Sequence, residues 1–513
     1  MGPGSCGDDG NSESLFIENS TQKKAKIETE CEETDRIDWI SQLPDALIIQ
    51  ILSLLSLTDA CRTTILSKRW QYLWTCIDNL SYHNKEYSCP DSLTAHKFIS
   101  LTDNVLPLLS CSSIKKLSLG FMLNYDDGVS YNPKIDKWLE FAVNKKMEDL
   151  FLNILYTVRA DKHDQPYSLP QVLCSSSSIV KLECWNCRIS EDYVLNWKSL
   201  KNLTLEYLFL REKHIEQIMS NCPQLESLKL CAFCGFNRLH MTSPKCRRLQ
   251  LTDHDHPDGD WGSFEGDCFF EIVAPYVQHL KISGNFDHSE IRLKGLTSLV
   301  HAELTFCADE YDENTVKDLL VSVRCANELI LSSWYIKVIS SLIFEKESFI
   351  SLPLLECKWL AISSHITNYS FPGLDTLLKS TLNLENLMIA PDMPPDQLFP
   401  EDAIVLSDDA YLSLHADNFK YFLYKLKNVK VISSFCNRVD RADGAKLRQL
   451  LKFLLEHAIN LEKLIIAPEH KECNFCSTGI SELMESVLAF PTTSKSAVIS
   501  FGSISHNIFS KDI

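Results

Sequence analysis

One spacing of apolar residues, Leu-x-x-Leu-x-Leu, recurs along this 513-residue chain and limits what it can fold into. The clearest copies are Ile114-Leu117-Leu119, Leu200-Leu203-Leu205, Leu225-Leu228-Leu230, Leu384-Leu387-Ile389 and Leu461-Leu464-Ile466. Weaker copies stand at Met147-Leu150-Leu152, Ile179-Leu182, Leu249-Leu251, Val277-Leu280-Ile282, Leu329-Leu331 and Leu360-Ile362. Each copy reads as a short strand. Between copies the spacing becomes helical, as at Ile135, Trp138, Leu139 and Val143, at Ile215, Ile218 and Met219, at Val316, Leu319 and Leu320, and from Leu447 to Leu455. A single strand-plus-helix unit cannot bury its apolar face, but a stack of them can. The expectation is therefore an α/β solenoid, with strands on one side, helices on the other and the leucines between. Strand signals from Leu117 to Leu280 lie 33, 32, 21, 25, 21 and 31 residues apart, so the array is irregular. Crossovers of ordinary α/β proteins have similar lengths, and spacing alone leaves that alternative open.

Composition excludes several functions. The net charge is -18, and no basic patch stands out of the kind that neutralises phosphates, so nucleic acid is not an expected partner. The short run Lys23, Lys24 and Lys26 sits in a polar tail and is a weak nuclear address. Residues 1–36 are polar and acidic, with too few large apolar groups to offset ordering entropy, and read as a disordered tail. They lack a signal-peptide core, and no run approaches a membrane span. Scattered through so long a chain, the 20 cysteines read as small hydrophobes in a reducing compartment, nucleus or cytoplasm.

No catalytic signature is visible: there is no H-E-x-x-H, no G-x-S-x-G, no Walker sequence and no Rossmann glycine fingerprint. The C-x-x-C pairs Cys184/Cys187 and Cys231/Cys234 could supply four thiolates for zinc, but repeats that face one way also stack such residues without metal. Cys473/Cys476 is an incomplete set. The acidic run from Asp253 to Asp260 fails the calcium-loop register, because Pro257 falls where a ligand is needed. The reading is a non-enzyme without cofactor or metal.

Residues 37–78 form a separate pattern of three short helices. Pro44 is placed as a first-turn proline with Asp45 beside it, and Leu47, Ile48, Ile51, Leu52 and Leu55 follow at helical spacing. Thr58 is positioned to cap a second helix and Ser67 a third, which carries Trp70, Leu73 and Trp74. Three helices in about 40 residues are marginal alone, so they must lean on a neighbour or a partner. A small cap for the following repeats and a docking face are both compatible with this spacing.

This segment closely resembles the plant F-box. The family's Leu-Pro-Asp stands at Leu43, Pro44 and Asp45, its Asp-Ala at Asp59 and Ala60, and its Arg-Thr at Arg62 and Thr63. Its Leu-Ser-Lys-Arg-Trp stands at residues 66–70 and its Leu-Trp at Leu73 and Trp74. The chain departs from the pattern at Ser56-Leu57-Thr58, where the family has Leu-Pro. The resemblance implies binding to a Skp1-like adaptor, and through it a cullin-RING ligase, by Leu43, Pro44, Leu47, Ile51, Leu66, Trp70 and Leu73. Some of these must be internal core instead.

The body resembles the degenerate leucine-rich repeats of plant F-box proteins over residues 90–400, and their C-terminal FBD region over 401–513. The implied fold is an N-terminal three-helix F-box bundle followed by an irregular leucine-rich-repeat solenoid. The implied function is that of a substrate-recognition subunit of a Skp1–cullin–F-box ubiquitin ligase, holding an unknown protein substrate. Recognition falls to the concave strand face or to an insertion such as Asp253 to Asp267, where Trp261 and Phe264 are the substrate-binding candidates. A non-ligase interaction protein and a small-molecule-dependent receptor stay open as alternatives.

Overall fold

The computed structural model describes residues 39–83, 92–157, 166–253, 269–286, 290–307, 313–346, 350–363, 370–390, 423–433, 438–468 and 474–501. The chain forms two compact units, divided after Ile48. In the first, helix α1 (Trp39–Gln42) leads through Leu43 and Pro44 into α2 (Asp45–Leu52). The amides of Leu47 and Ile48 both donate to the Pro44 carbonyl, at 3.0 and 3.2 Å, which closes the first turn of α2. Pro44 thus opens the helix where no amide of its own is needed.

The second unit is built on fifteen strands in one sheet. They are Asn79–His83, Lys116–Asn124, Asp149–Thr157, Lys181–Trp185, Asn202–Phe209, Ser227–Cys234, Arg248–Thr252, His279–Asn285, His301–Cys307, Glu328–Leu331, Trp359–Ser363, Asn386–Ala390, Asn428–Ser433, Lys463–Pro468 and Val498–Phe501. Their order in the sheet is their order in the chain, and every pairing is parallel. Parallel neighbours need a crossover, and here each crossover returns to the next position along, which is a solenoid.

Lateral register explains the leucines. Leu80, Leu117, Leu150, Leu182, Leu203, Leu228, Leu249 and Leu280 lie opposite one another on successive strands. The column continues through Ala302, Leu329, Leu360, Leu387, Val429 and Leu464. None of these fourteen side chains is more than 1% exposed. A second inward column runs two residues later, from Tyr82 and Leu119 to Val431 and Ile466. Each buried leucine removes enough apolar surface to be worth roughly 1.5–3 kcal/mol. The ladder also runs from Asn386–Ala390 to Asn428–Ser433 across the junction at residues 400/401.

The crossovers differ from a simple strand-and-helix rule. Helices Tyr125–Asn144, Glu212–Asn221, Glu313–Val323 and Arg438–His457 lie where the helical spacing predicts them. Between Cys234 and His301, however, Arg238–His240, Phe269–Val273 and Glu290–Lys294 form a second three-stranded parallel sheet. Length alone does not select this arrangement: Leu228 to Leu249 is 21 residues, but the crossover from Leu249 to Leu280 that holds Phe269–Val273 is 31. Phe236 and Phe270 of these crossovers pack against Phe233 of the strand Ser227–Cys234, with rings 5.4–5.6 Å apart. No described helix is long and apolar enough to cross a membrane.

Leu228→Ala empties one inward site between two neighbours and is expected to destabilise the chain by about 2–5 kcal/mol. The outward Gln250→Ala should stay within about 0.5 kcal/mol. Urea denaturation followed by tryptophan emission compares the two midpoints.

Candidate partner-docking site

Residues 49–78 fold as short helices of the second unit. Helix α3 spans Leu57–Arg62 and α4 spans Trp70–Leu73, with single turns of 3-10 helix at Thr63–Ile65 and Trp74–Cys76. The cap of α3 is Ser56, not Thr58: its Oγ accepts from the Asp59 amide at 3.2 Å and donates to Asp59 Oδ2 at 2.7 Å. Asp59 in turn pairs with Arg62 at 3.0 Å. The departure from the family's Leu-Pro is thereby compensated, because a serine cap replaces the rigidity of the proline and Leu57 is buried behind it. Ser67 does not cap α4 with its side chain. That helix starts from Arg69, and the Trp70 amide donates to the Ser67 carbonyl at 3.1 Å.

Side chains of this segment divide between core and surface. Leu57, Ala60, Trp70, Trp74 and Ile77 are buried. The Trp74 indole donates to the Gln71 carbonyl at 3.0 Å, so its polar end is satisfied inside. Leu54 (85% exposed), Ile65 (86%) and Leu66 (62%) are open to solvent, with Ile51, Leu55 and Tyr72 beside them in the exposed class. Exposed aliphatic residues scattered singly are ordinary, but here six large apolar side chains are exposed within residues 51–72. Of the seven residues expected to contact an adaptor, Pro44 and Leu47 of the first unit and Ile51 and Leu66 of the second are exposed. Leu43 and Leu73 are half-buried. Trp70, only 6% exposed, is a core residue: it holds the helices in place and offers no outer surface. Leu54, Ile65 and Tyr72 carry no mark in the sequence, and Leu55 is marked only as part of the helical stripe, since apolar spacing does not say which side of a short helix is covered.

The bundle joins the ladder without a linker. Cys76 ends the last helical turn, and Asn79 already begins the first strand. Asn79 Nδ2 donates to the Ser53 carbonyl at 3.0 Å, and the Ser110 amide donates to the Thr75 carbonyl at 2.8 Å. Lys115 Nζ meets Asp78 at 2.6 Å. Residues 49–78 are therefore held to the first two strands and cap that end of the core, where Ile77 and Leu80 are sealed.

The cysteine pairs do not converge. Cys184 lies in an inward column between Leu152 and Leu205, whereas Cys231 points outward beside Glu206 on the opposite face. Among the described residues no three or more His, Cys, Asp or Glu side chains are grouped to hold a metal. Burial pushes the Cys184 and Cys187 thiols well up, Cys174 up to about 12 and Cys234 up to about 11. Such thiols stay protonated at neutral pH and are poor nucleophiles and metal ligands. Cys473/Cys476, Trp261 and Phe264, and the insertion that carries the last two, lie outside the described residues, apart from Asp253 and Cys476 themselves in the backbone.

Comparison with known proteins agrees with this geometry. The F-box domain family matches residues 40–81, and the family described as "FBD-associated F-box protein At5g56370, LRR repeats" matches residues 135–261. These matches support a plant F-box/leucine-rich-repeat family for the chain. It is similar to the Arabidopsis thaliana protein F-box/LRR-repeat protein 13, with 24% identity over 91% of this chain and 96% of the relative. F-box/LRR-repeat protein At3g03360 from the same plant is 25% identical over 74% of this chain and 76% of its own length. FBD-associated F-box protein At1g66310, also from Arabidopsis, is 24% identical over 84% and 90%. The exposed aliphatic surface at 51–66 thus belongs to the F-box, and the strand ladder to the leucine-rich repeats.

Two outcomes follow. Ser56→Ala should cost about 1 kcal/mol through loss of the α3 cap, read as a lower thermal midpoint. At pH 8 a thiol titrating near 11 is only about one part in a thousand thiolate. Iodoacetamide should accordingly leave Cys174 and Cys234 unmodified in the folded chain and label both once it is denatured, as read by peptide mass.

Proposed function

We propose that this F-box adaptor is a substrate-recruiting subunit of a Skp1–cullin–F-box ubiquitin ligase. The observation that carries the reading is the solvent-exposed aliphatic surface of the F-box, Ile51, Leu54, Leu55, Ile65 and Leu66, on a segment whose own core is already closed by Leu57, Trp70 and Trp74. Apolar side chains left outside a complete core are available to fill a partner's groove, as in helix-in-groove recognition. On this reading Pro44 and Leu47 add to the contact, Leu43 and Leu73 support it, and Trp70 acts only through the fold.

The chain supplies no catalytic residue in this scheme. It binds the adaptor at one place and a substrate protein on the repeats. A ubiquitin-charged enzyme in the same assembly then meets the substrate lysine at a raised effective concentration. The short, hydrogen-bonded junction at Thr75–Asn79 supports this role, because a fixed junction limits the orientations of the substrate. The region from residue 401 onward is read as the FBD part of the same repeat array.

Ile65→Asp together with Leu66→Asp should weaken binding to a Skp1-like protein by more than about 30-fold, the scale of hot-spot loss. Both side chains are exposed, so the unfolding midpoint should stay near that of the unaltered chain. The Pro44→Ala, Leu47→Ala pair should act in the same direction. Isothermal titration with purified adaptor measures both, and normal binding by the two double variants would refute the assigned surface.

A further inference from the structure

The reading above requires a surface on the repeats that takes a second protein, and the inference here rests on it. Strand residues that alternate with the leucine columns point away from the core and form rows across the sheet. One row runs Phe151, Glu183, Thr204 and Lys229; the next runs Asn153, Trp185, Glu206 and Cys231. Adjacent strands are about 4.8 Å apart, so Glu183 stands beside Phe151 and Glu206 beside Trp185. The rings of Phe151 and Trp185 meet edge to face, with centroids 5.2 Å apart at 72°. Across three neighbouring strands the outward face therefore carries Phe151, then Glu183 and Trp185, then Glu206, in a diagonal line with Trp185 between the two carboxylate positions.

This diagonal line of aromatic rings and carboxylates has the polarity of a cation receptor. Glu183 is held only loosely by Lys181, at 3.6 Å. Glu206 is half-buried and makes no ion pair among the described residues. Burial, and the nearby carboxylates Glu183 and Asp253, raise its pKa against the opposing effect of Lys229. A carboxylate in that state gains from an added positive charge.

We propose that Phe151, Glu183, Trp185 and Glu206 form a subsite for an arginine side chain of the recruited protein. A guanidinium is flat, stacks on aromatic faces and donates in a fork to carboxylates, whereas a lysine ammonium is a strongly hydrated point charge. Seated here, the guanidinium lies over the aromatic pair and donates to Glu206 and Glu183. On the ligase reading the arginine belongs to the recruited protein, so the ligand is a peptide segment and not a free cation.

The test uses the full chain with its Skp1-like adaptor, labelled with 5-fluorotryptophan, and the probe acetyl-Gly-Arg-Gly-amide. The Trp185 fluorine resonance is assigned by its loss in Trp185→Phe. The arginine peptide should shift that resonance saturably. Its citrulline counterpart, equal in shape but uncharged, should not. Glu206→Gln and Glu183→Gln should each weaken the apparent affinity by about fivefold, the scale of one partly exposed ion pair. An equal shift with the citrulline peptide, equal binding of a lysine peptide, or full affinity in both glutamine variants would overturn the assignment. A normal arginine response in a chain that fails to co-purify with the adaptor would overturn the ligase reading and leave the subsite standing.

Discussion

Lateral contact between equivalent side chains on successive strands is the interaction on which everything else in this protein rests. A column such as Leu203, Leu228, Leu249 is dry only because each leucine is flanked by the next. There is no common centre, so each repeat depends on its neighbours and not on the whole. This explains why the crossovers vary so freely. The core asks only that the strand return in register, and a helix or a short second-sheet strand serves equally well. It also explains why residues 49–78 are joined so closely to Asn79–His83: an open end of such a stack needs a cover, and the F-box helices supply one.

The same arrangement separates folding from recognition. Inward positions are committed to aliphatic side chains, while outward positions on the same strands are under no such demand. They carry polar and charged residues such as Glu183, Glu206, Lys229, Lys281 and Glu303. The F-box repeats the principle on a smaller scale. Trp70 and Trp74 complete its interior, and the aliphatic side chains that remain outside have no structural duty to perform.

Backbone conformation at the ends of the strands follows the repeat as well. Asn186, Tyr207, Ala232 and Asp253 adopt φ values of +54°, +54°, +45° and +46° at the equivalent position of four successive repeats, and Gly284 takes φ +87° in the fifth. A left-handed residue other than glycine costs roughly 1–2 kcal/mol. The ladder repays part of this: the Asn186 amide donates to the Glu206 carbonyl and the Asp253 amide to the Ser283 carbonyl, both at 3.0 Å. At Gly284 a Cβ would run into the Asp253 carboxylate, so glycine is required there by its neighbour as well as by its φ.

Much of this was legible before any coordinates. The strands from Leu117 to Leu280 stand in the register that leucine spacing predicts, because burial selects side chains by alternation and a one-residue slip would expose them. The F-box was legible through its dense motif. Strands whose inward residue is not leucine were not: His301–Cys307, which uses Ala302, and Asn428–Ser433, which uses Val429, pair in register with a neighbour on each side. The sequence also could not divide Leu66 from Trp70, both apolar and both part of one motif, into surface and core. Local patterning determines which residues must leave water. Only the packed chain determines what they meet, since that depends on partners far away along the sequence, and it is this that brings Phe151, Glu183, Trp185 and Glu206 onto one face.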